Sequence, residues 1–126
     1  MAAPNHLQIN ARRGSDRLIL ELVGELDLFS SSTLADAIDL HERAGMLVLD
    51  ITRVSFIDST GLKAIFSARR EAQARGEQFA VTRGSPQVQR LLSLTLLDEH
   101  LVTLPAADAA ESVTAEDGAA AGSDRA

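Results

Sequence analysis

Residues 54–66 read VSFIDSTGLKAIF, from Val54 to Phe66. An apolar run stops at Asp58. Two hydroxyl residues and a glycine follow, and apolar side chains then recur at helical spacing at Leu62, Ile65 and Phe66. Aspartate is a leading N-cap residue, because its carboxylate accepts from amides two or three positions on. With Asp58 as cap, Ser59 is the first helical residue and Gly61 the third. Glycine inside a helix is less favourable than alanine by roughly 0.8–1 kcal/mol. Gly61 therefore suggests close approach of another backbone or of a ligand. The pattern leaves open whether Asp58-Ser59-Thr60-Gly61 is only a helix start or also a chemical site.

Working outward, strand and helix signals alternate across residues 5–104. HLQINAR alternates weakly and reads as an edge strand. RLILELVG puts Leu18, Leu20 and Leu22 on one face, with Ile19, Glu21 and Val23 on the other. Arg13-Gly14-Ser15-Asp16 between them suits a hairpin turn, so the first two strands are expected to be antiparallel. SSSTLADAIDLHERAG offers Ser/Thr N-caps, then Leu34, Ala37, Ile38 and His41 at helical spacing, with Gly45 as C-cap. MLVLDI, Met46 to Ile51, is a nearly unbroken apolar run that suits a central strand covered on both faces. The helix after Asp58 carries Leu62, Ile65, Phe66, Arg69 and Ala72 on or near one stripe, and Gly76 closes it. EQFAVT is a short strand. GSPQVQRLLSL is a helix with Ser85 as cap, Pro86 first, and Val88, Leu91 and Leu92 inward. HLVTL is a last strand. The order β-β-α-β-α-β-α-β implies an α/β fold with a mixed sheet and helical crossovers.

Composition narrows the function. The 126 residues fit one domain, and a hydrophobic content of 45% is enough for a core. The net charge is −6, against a phosphate-binding surface for nucleic acid. Aromatics are 3%, with no Trp or Tyr, so stacking platforms are nearly absent. No cysteine is present, which removes thiolate catalysis, disulfides and cysteine-based zinc sites. The N-terminal segment has no apolar signal region and no run reaches a membrane span's length, so a cytoplasmic protein is expected. From Pro105 to Ala126 the chain is rich in Ala, Gly and acids, and holds −4 of the charge. Such a segment buries too little surface to offset its chain entropy, and a disordered, solubilising tail is expected there.

Catalytic templates fit poorly. His6, His41 and His100 fall on an edge strand, a helix and a late loop, with no route to Ser59 as a base. The nucleophile elbow lacks its first glycine, since Ile57 stands there. The aspartic protease triplet is broken by an extra residue between Asp58 and Gly61. No P-loop exists, and His41-Glu42 alone is no metal site. No catalysis, cofactor or metal is expected. A modification site fits better: a phosphate on Ser59 would meet unpaired helix amides and the positive end of the dipole.

LVLDITRVSFIDSTGLKAIF resembles the signature of STAS domains, specifically the bacterial anti-sigma factor antagonists. GELDLFSSSTL and RGSPQVQRLLSLTLLDEHL resemble two further segments of that family. The resemblance spans about residues 7–104. It implies a single STAS domain with helices packed largely on one side of a mixed sheet. It further implies that Ser59 accepts a phosphate, with Thr60 a second hydroxyl left open as acceptor. Gly24, Glu25 and Asp27, with Asp58, Ser59, Thr60 and Gly61, would form the partner surface, although Asp27 could equally cap or solvate its loop. The implied partners are an anti-sigma factor that is also a serine kinase, and a metal-dependent serine phosphatase. The unmodified form would bind the kinase and free a sigma factor. The alternatives are a STAS scaffold or transporter-associated module that does not switch, and a nucleotide-binding STAS domain. Leu28 and Phe29 depart from the polar residues common in relatives. Exposed, Phe29 would enlarge an apolar partner patch; core packing is expected of a phenylalanine. Leu96, where many relatives have glycine, is a second departure.

Overall fold

The computed structural model describes residues 7–94 and 102–104. Its elements are β1 (Leu7–Arg13), β2 (Arg17–Leu26), α1 (Ser31–Leu40), β3 (Met46–Ile57), α2 (Ser59–Ala74), β4 (Gln78–Thr82), α3 (Pro86–Leu94) and β5 (Thr103–Leu104). The sheet order is β1-β2-β3-β4-β5, the order of the chain itself. β1 and β2 are antiparallel around the Gly14–Asp16 turn, and every later pair is parallel. Each parallel pair is bridged by a helix, as parallel strands require.

The alternation seen in β2 sets the layers. Leu18, Leu20 and Leu22 join Leu47, Leu49 and Ile51 of β3 in one buried cluster with residues of all three helices. Ile19 and Val48 point the other way and form a small second cluster with Met46 and Leu104. The helices thus share one face. Each fully buried Leu, Ile or Val contributes about 1.5–3 kcal/mol relative to exposure, so the larger cluster dominates stability.

β3 is longer than the apolar run Met46–Ile51 indicated; it continues to Ile57. Two register shifts against β2, between Glu21 and Val23 and between Gly24 and Glu25, absorb extra residues in β3. At the first, the Ile51 N–H donates to the Thr82 hydroxyl (2.9 Å). The buried Asp50 carboxylate there accepts from the Thr52 N–H (3.0 Å) and both threonine hydroxyls. At the second, the Ser55 hydroxyl donates to the Gly24 carbonyl (3.2 Å).

Several boundaries differ from the sequence reading. α1 ends at Leu40, with His41 as an extended C-cap, so neither His41 nor Gly45 plays the role assigned to it. The loop after α1 is held from outside instead. Arg13 donates to the carbonyls of Glu42 and Arg43 (3.0 and 2.6 Å), and the Ala44 N–H donates to the buried Glu77 carboxylate (2.8 Å). A Cβ on Gly45 would meet only the end of the exposed Asp16 side chain, 2.6 Å from its Cγ, which can swing aside. On α2 the buried set is Gly61, Leu62, Ile65, Ala68 and Ala72. Ala68 takes the inward position, whereas Phe66 and Arg69 are half-buried, with the guanidinium 5.9 Å from the ring centre. Gly76 does stop α2, at φ +80°. Ser85 caps α3 by accepting from the Val88 N–H (3.3 Å). Val88 and Leu92 are buried, and Leu91 packs partly on the core. His6, Leu96, His100, Leu101 and the segment from Pro105 lie outside the described residues.

Candidate functional site

Parallel strands deliver their following loops to one end of a sheet. β2 and β3 are neighbours, so residues 27–30 and Asp58 meet beyond their carboxyl ends. The joint between them is Asp58. Its Oδ1 accepts from the Gly61 N–H (2.9 Å), the N-cap bond its position indicated. Its Oδ2 accepts from the Leu28 N–H (3.3 Å), and its own N–H donates to the Leu26 carbonyl (3.4 Å). One carboxylate therefore starts α2 and also ties the β2–α1 loop to it.

Gly61 explains itself at this joint. A Cβ there would come closer than 3.0 Å to the Leu26 carbonyl oxygen, and 2.9 Å from its carbon. The close approach anticipated from the sequence is made by backbone. Gly24 lies in β2 at φ +117°, beside the second register shift, a conformation that favours glycine.

The β2–α1 loop has its own frame. Asp27 is buried, and its Oδ1 accepts from the N–H groups of Phe29 (3.0 Å) and Ser30 (3.2 Å). Ser30 occupies the N-cap position of α1 but makes no side-chain cap bond. Its buried hydroxyl accepts from the Asp27 N–H (3.0 Å) and faces both the Glu25 carbonyl (2.7 Å) and Asp27 Oδ1 (3.0 Å). The Asp27-x-x-Ser30 spacing is itself a sequence signal for such a turn. Phe29 reverses expectation: it is exposed, not packed in the core, as is Leu28. The Asp27–Ser30 frame directs the chain around them, so the nearby core is filled by Leu26 and Leu34 instead.

Ser59 is exposed at the first position of α2, whereas Thr60 is half-buried and lines a groove of about 300 Å³ between α1 and α2. That volume lies at the lower limit of small-molecule pockets. His41, the histidine within the described residues, sits at the far end of α1 with Nδ1 2.7 Å from the Ala37 carbonyl, remote from Ser59. Among the described residues no group of three or more His, Cys, Asp or Glu side chains could hold a metal ion. Among them, no helix is long and apolar enough to cross a membrane.

Comparison with known proteins fits this two-loop architecture. The sequence pattern of the STAS domain matches residues 8–110. The chain belongs to the STAS family. Among relatives of this STAS domain is the anti-sigma-F factor antagonist RsfB of Mycobacterium tuberculosis, 29% identical over 79% of this chain and 82% of that protein. Among solved structures, an anti-sigma factor antagonist from Mycobacterium paratuberculosis superposes with a TM-score of 0.70 at 23% identity, covering 90% of this chain and 99% of that one. SpoIIAA in its unphosphorylated form gives 0.67 at 20% identity, covering 86% and 96%. Bacillus SpoIIAA has also been solved in a phosphorylated form, with a TM-score of 0.58 at 19% identity, covering 83% and 96%. These structures place the STAS domain in the same fold, a five-stranded sheet opening with an antiparallel pair and carrying three helices.

Proposed function

We propose that this STAS domain is an anti-sigma factor antagonist whose binding is switched off by phosphorylation of Ser59. The observation that carries the reading is the placement of the Ser59 hydroxyl: exposed, first in α2, immediately after the aspartate that joins the two loops. Its relatives' names point the same way. Unmodified, the surface formed by Gly24, Glu25, Asp27 and Asp58–Gly61 would meet an anti-sigma factor that is also a serine kinase, in the cytoplasm. The chain is then substrate and ligand rather than enzyme, and a serine phosphatase restores it.

The physical basis is a local balance. A phosphate adds about −1.5 to −2 charge at neutral pH. At a helix N-terminus the dipole favours an anion by about 0.3–1 kcal/mol. The neighbouring Asp58 carboxylate opposes it, so the net effect on folding is small. The effect on a partner is large, because a contact made to a neutral hydroxyl must now desolvate a dianion. Thr60 is the poorer acceptor, being half-buried against the α1–α2 groove.

The test is phosphate mapping. The purified chain, incubated with its anti-sigma kinase and Mg-ATP, should gain one phosphate on Ser59 by mass spectrometry. Ser59→Asp should weaken kinase binding while shifting the melting temperature by no more than about 3 °C, as for other surface substitutions. Stoichiometric phosphorylation of Ser59→Ala would move the site, and collapse of Ser59→Asp would refute the helix-terminus argument.

A further inference from the structure

Two large apolar side chains stand out from the β2–α1 loop: Leu28 is 63% exposed and Phe29 is 77% exposed. They do not project from a slack segment. The Phe29 N–H is held by Asp27 Oδ1, the Leu28 N–H by Asp58 Oδ2, and the buried Ser30 hydroxyl closes the turn on Asp27 and Glu25. Exposure of this kind forgoes burial that the same side chains could obtain. A side chain presented on a fixed backbone loses little further freedom on binding, and aromatic residues are enriched in interface cores.

Their position decides the occupant. A protein acting on the Ser59 hydroxyl must cover it. A standard interface takes roughly 800 Å² per partner, a disc of roughly 16 Å radius. The amide of Leu28 bonds the same carboxylate that caps the helix of Ser59, so the Leu28–Phe29 loop adjoins Ser59 and lies within reach of a footprint centred on it. We infer that Phe29, with Leu28 beside it, is the apolar anchor by which this chain holds the protein kinase that reads Ser59, an inference that rests on the function proposed above. A second copy is the poorer occupant. A two-fold contact here would set Glu25 and Asp58 of each copy against one another. An anionic membrane would be repelled for the same reason. The anchor also explains the leverage of the modification: a phosphate on Ser59 lies at the edge of an apolar contact whose closure must strip it of water.

The experiment is a binding series. Each anti-sigma factor kinase encoded in the source genome is purified and titrated, with ADP present so that Ser59 stays unmodified, against the wild-type chain and the Phe29→Ala, Leu28→Ala and Leu40→Ala variants. Leu40, at the far end of α1 and 80% exposed, controls for general apolar surface. Phe29→Ala should weaken binding about 10- to 100-fold, as expected for losing a buried ring, with Leu28→Ala weaker in effect and Leu40→Ala neutral. Melting temperatures should stay within about 3 °C of wild type, since these side chains are exposed. A Phe29→Ala variant that binds within twofold of wild type overturns the anchor while leaving the proposed function standing. Equal loss from Leu40→Ala overturns it too. A wild-type dimer in sedimentation that Phe29→Ala dissolves assigns the patch to self-association and overturns the occupant. If no kinase binds the wild-type chain, the proposed function fails and the anchor falls with it.

Discussion

Replacing Gly61 with alanine sets two physical terms of opposite sign against each other. Alanine is preferred in a helix by about 0.8–1 kcal/mol, so at an unconstrained position the change would stabilise. Here the added Cβ would sit closer than 3.0 Å to the Leu26 carbonyl oxygen, 2.9 Å from its carbon and 3.2 Å from Ile57 Cγ2. Two of these atoms are backbone, so no rotamer change relieves the contact. The start of α2 must lift from β2 by roughly 1 Å to regain ordinary separation. That movement stretches the Asp58 N–H bond to Leu26 and the Leu28 N–H bond to Asp58, already 3.4 and 3.3 Å long. Overpacking costs about 1–3 kcal/mol, and a lost hydrogen bond to a charged group about 1.5–3 kcal/mol. After subtracting the propensity gain, the expected net destabilisation is about 1.5–5 kcal/mol. For a domain near 100 residues this lowers the melting temperature by about 6 °C or more. Thermal and urea unfolding followed by circular dichroism reads it directly. A midpoint equal to or above that of wild type would refute the claim that Gly61 is required by the Leu26 backbone.

Two further substitutions probe neighbouring features. Asp58→Ala removes both the cap and the tie to Leu28, and should cost about 2–3 kcal/mol in urea unfolding, whereas Asp58→Asn keeps an acceptor and should cost about half as much; equal losses would argue against the cap. Thr82→Val leaves the Ile51 N–H without its acceptor and should cost about 1–3 kcal/mol, with faster amide exchange at Ile51; an unchanged exchange rate would show that the hydroxyl does not hold the first register shift.

What was legible in the sequence was what short-range periodicity encodes. The alternation Leu18, Leu20, Leu22 gave both the strand and its inward face. The Asp58 cap was readable because it reaches only to Gly61. What lay beyond reach depended on register between distant segments. Gly61 demanded a close neighbour, but that the neighbour is Leu26 follows only once β2 and β3 are paired. Gly45 after a helix reads as its C-cap, yet α1 already ends at Leu40 with His41 as C-cap. The apolar residues Val54, Phe56 and Ile57 belong to the same strand as Met46–Ile51, but the polar Thr52, Arg53 and Ser55 between them obscure that continuity. Residue type favours burial of Phe29, whereas its exposure is set by a turn built from Asp27 and Ser30.

The sheet order has a consequence for how the molecule can be made. Because spatial order equals chain order, every strand finds its partner already at the growing edge. None has to be inserted between two that are already paired. A chain leaving a ribosome from its N-terminus can therefore lay down the sheet in one direction, each addition closing only the loop just synthesised. β2 and β3, whose ends carry Asp27 and Asp58, belong to the earlier part of that sequence, and the two-residue strand β5 closes it. The surface proposed to meet a partner is thus framed by the portion of the sheet that needs nothing downstream for its own pairing.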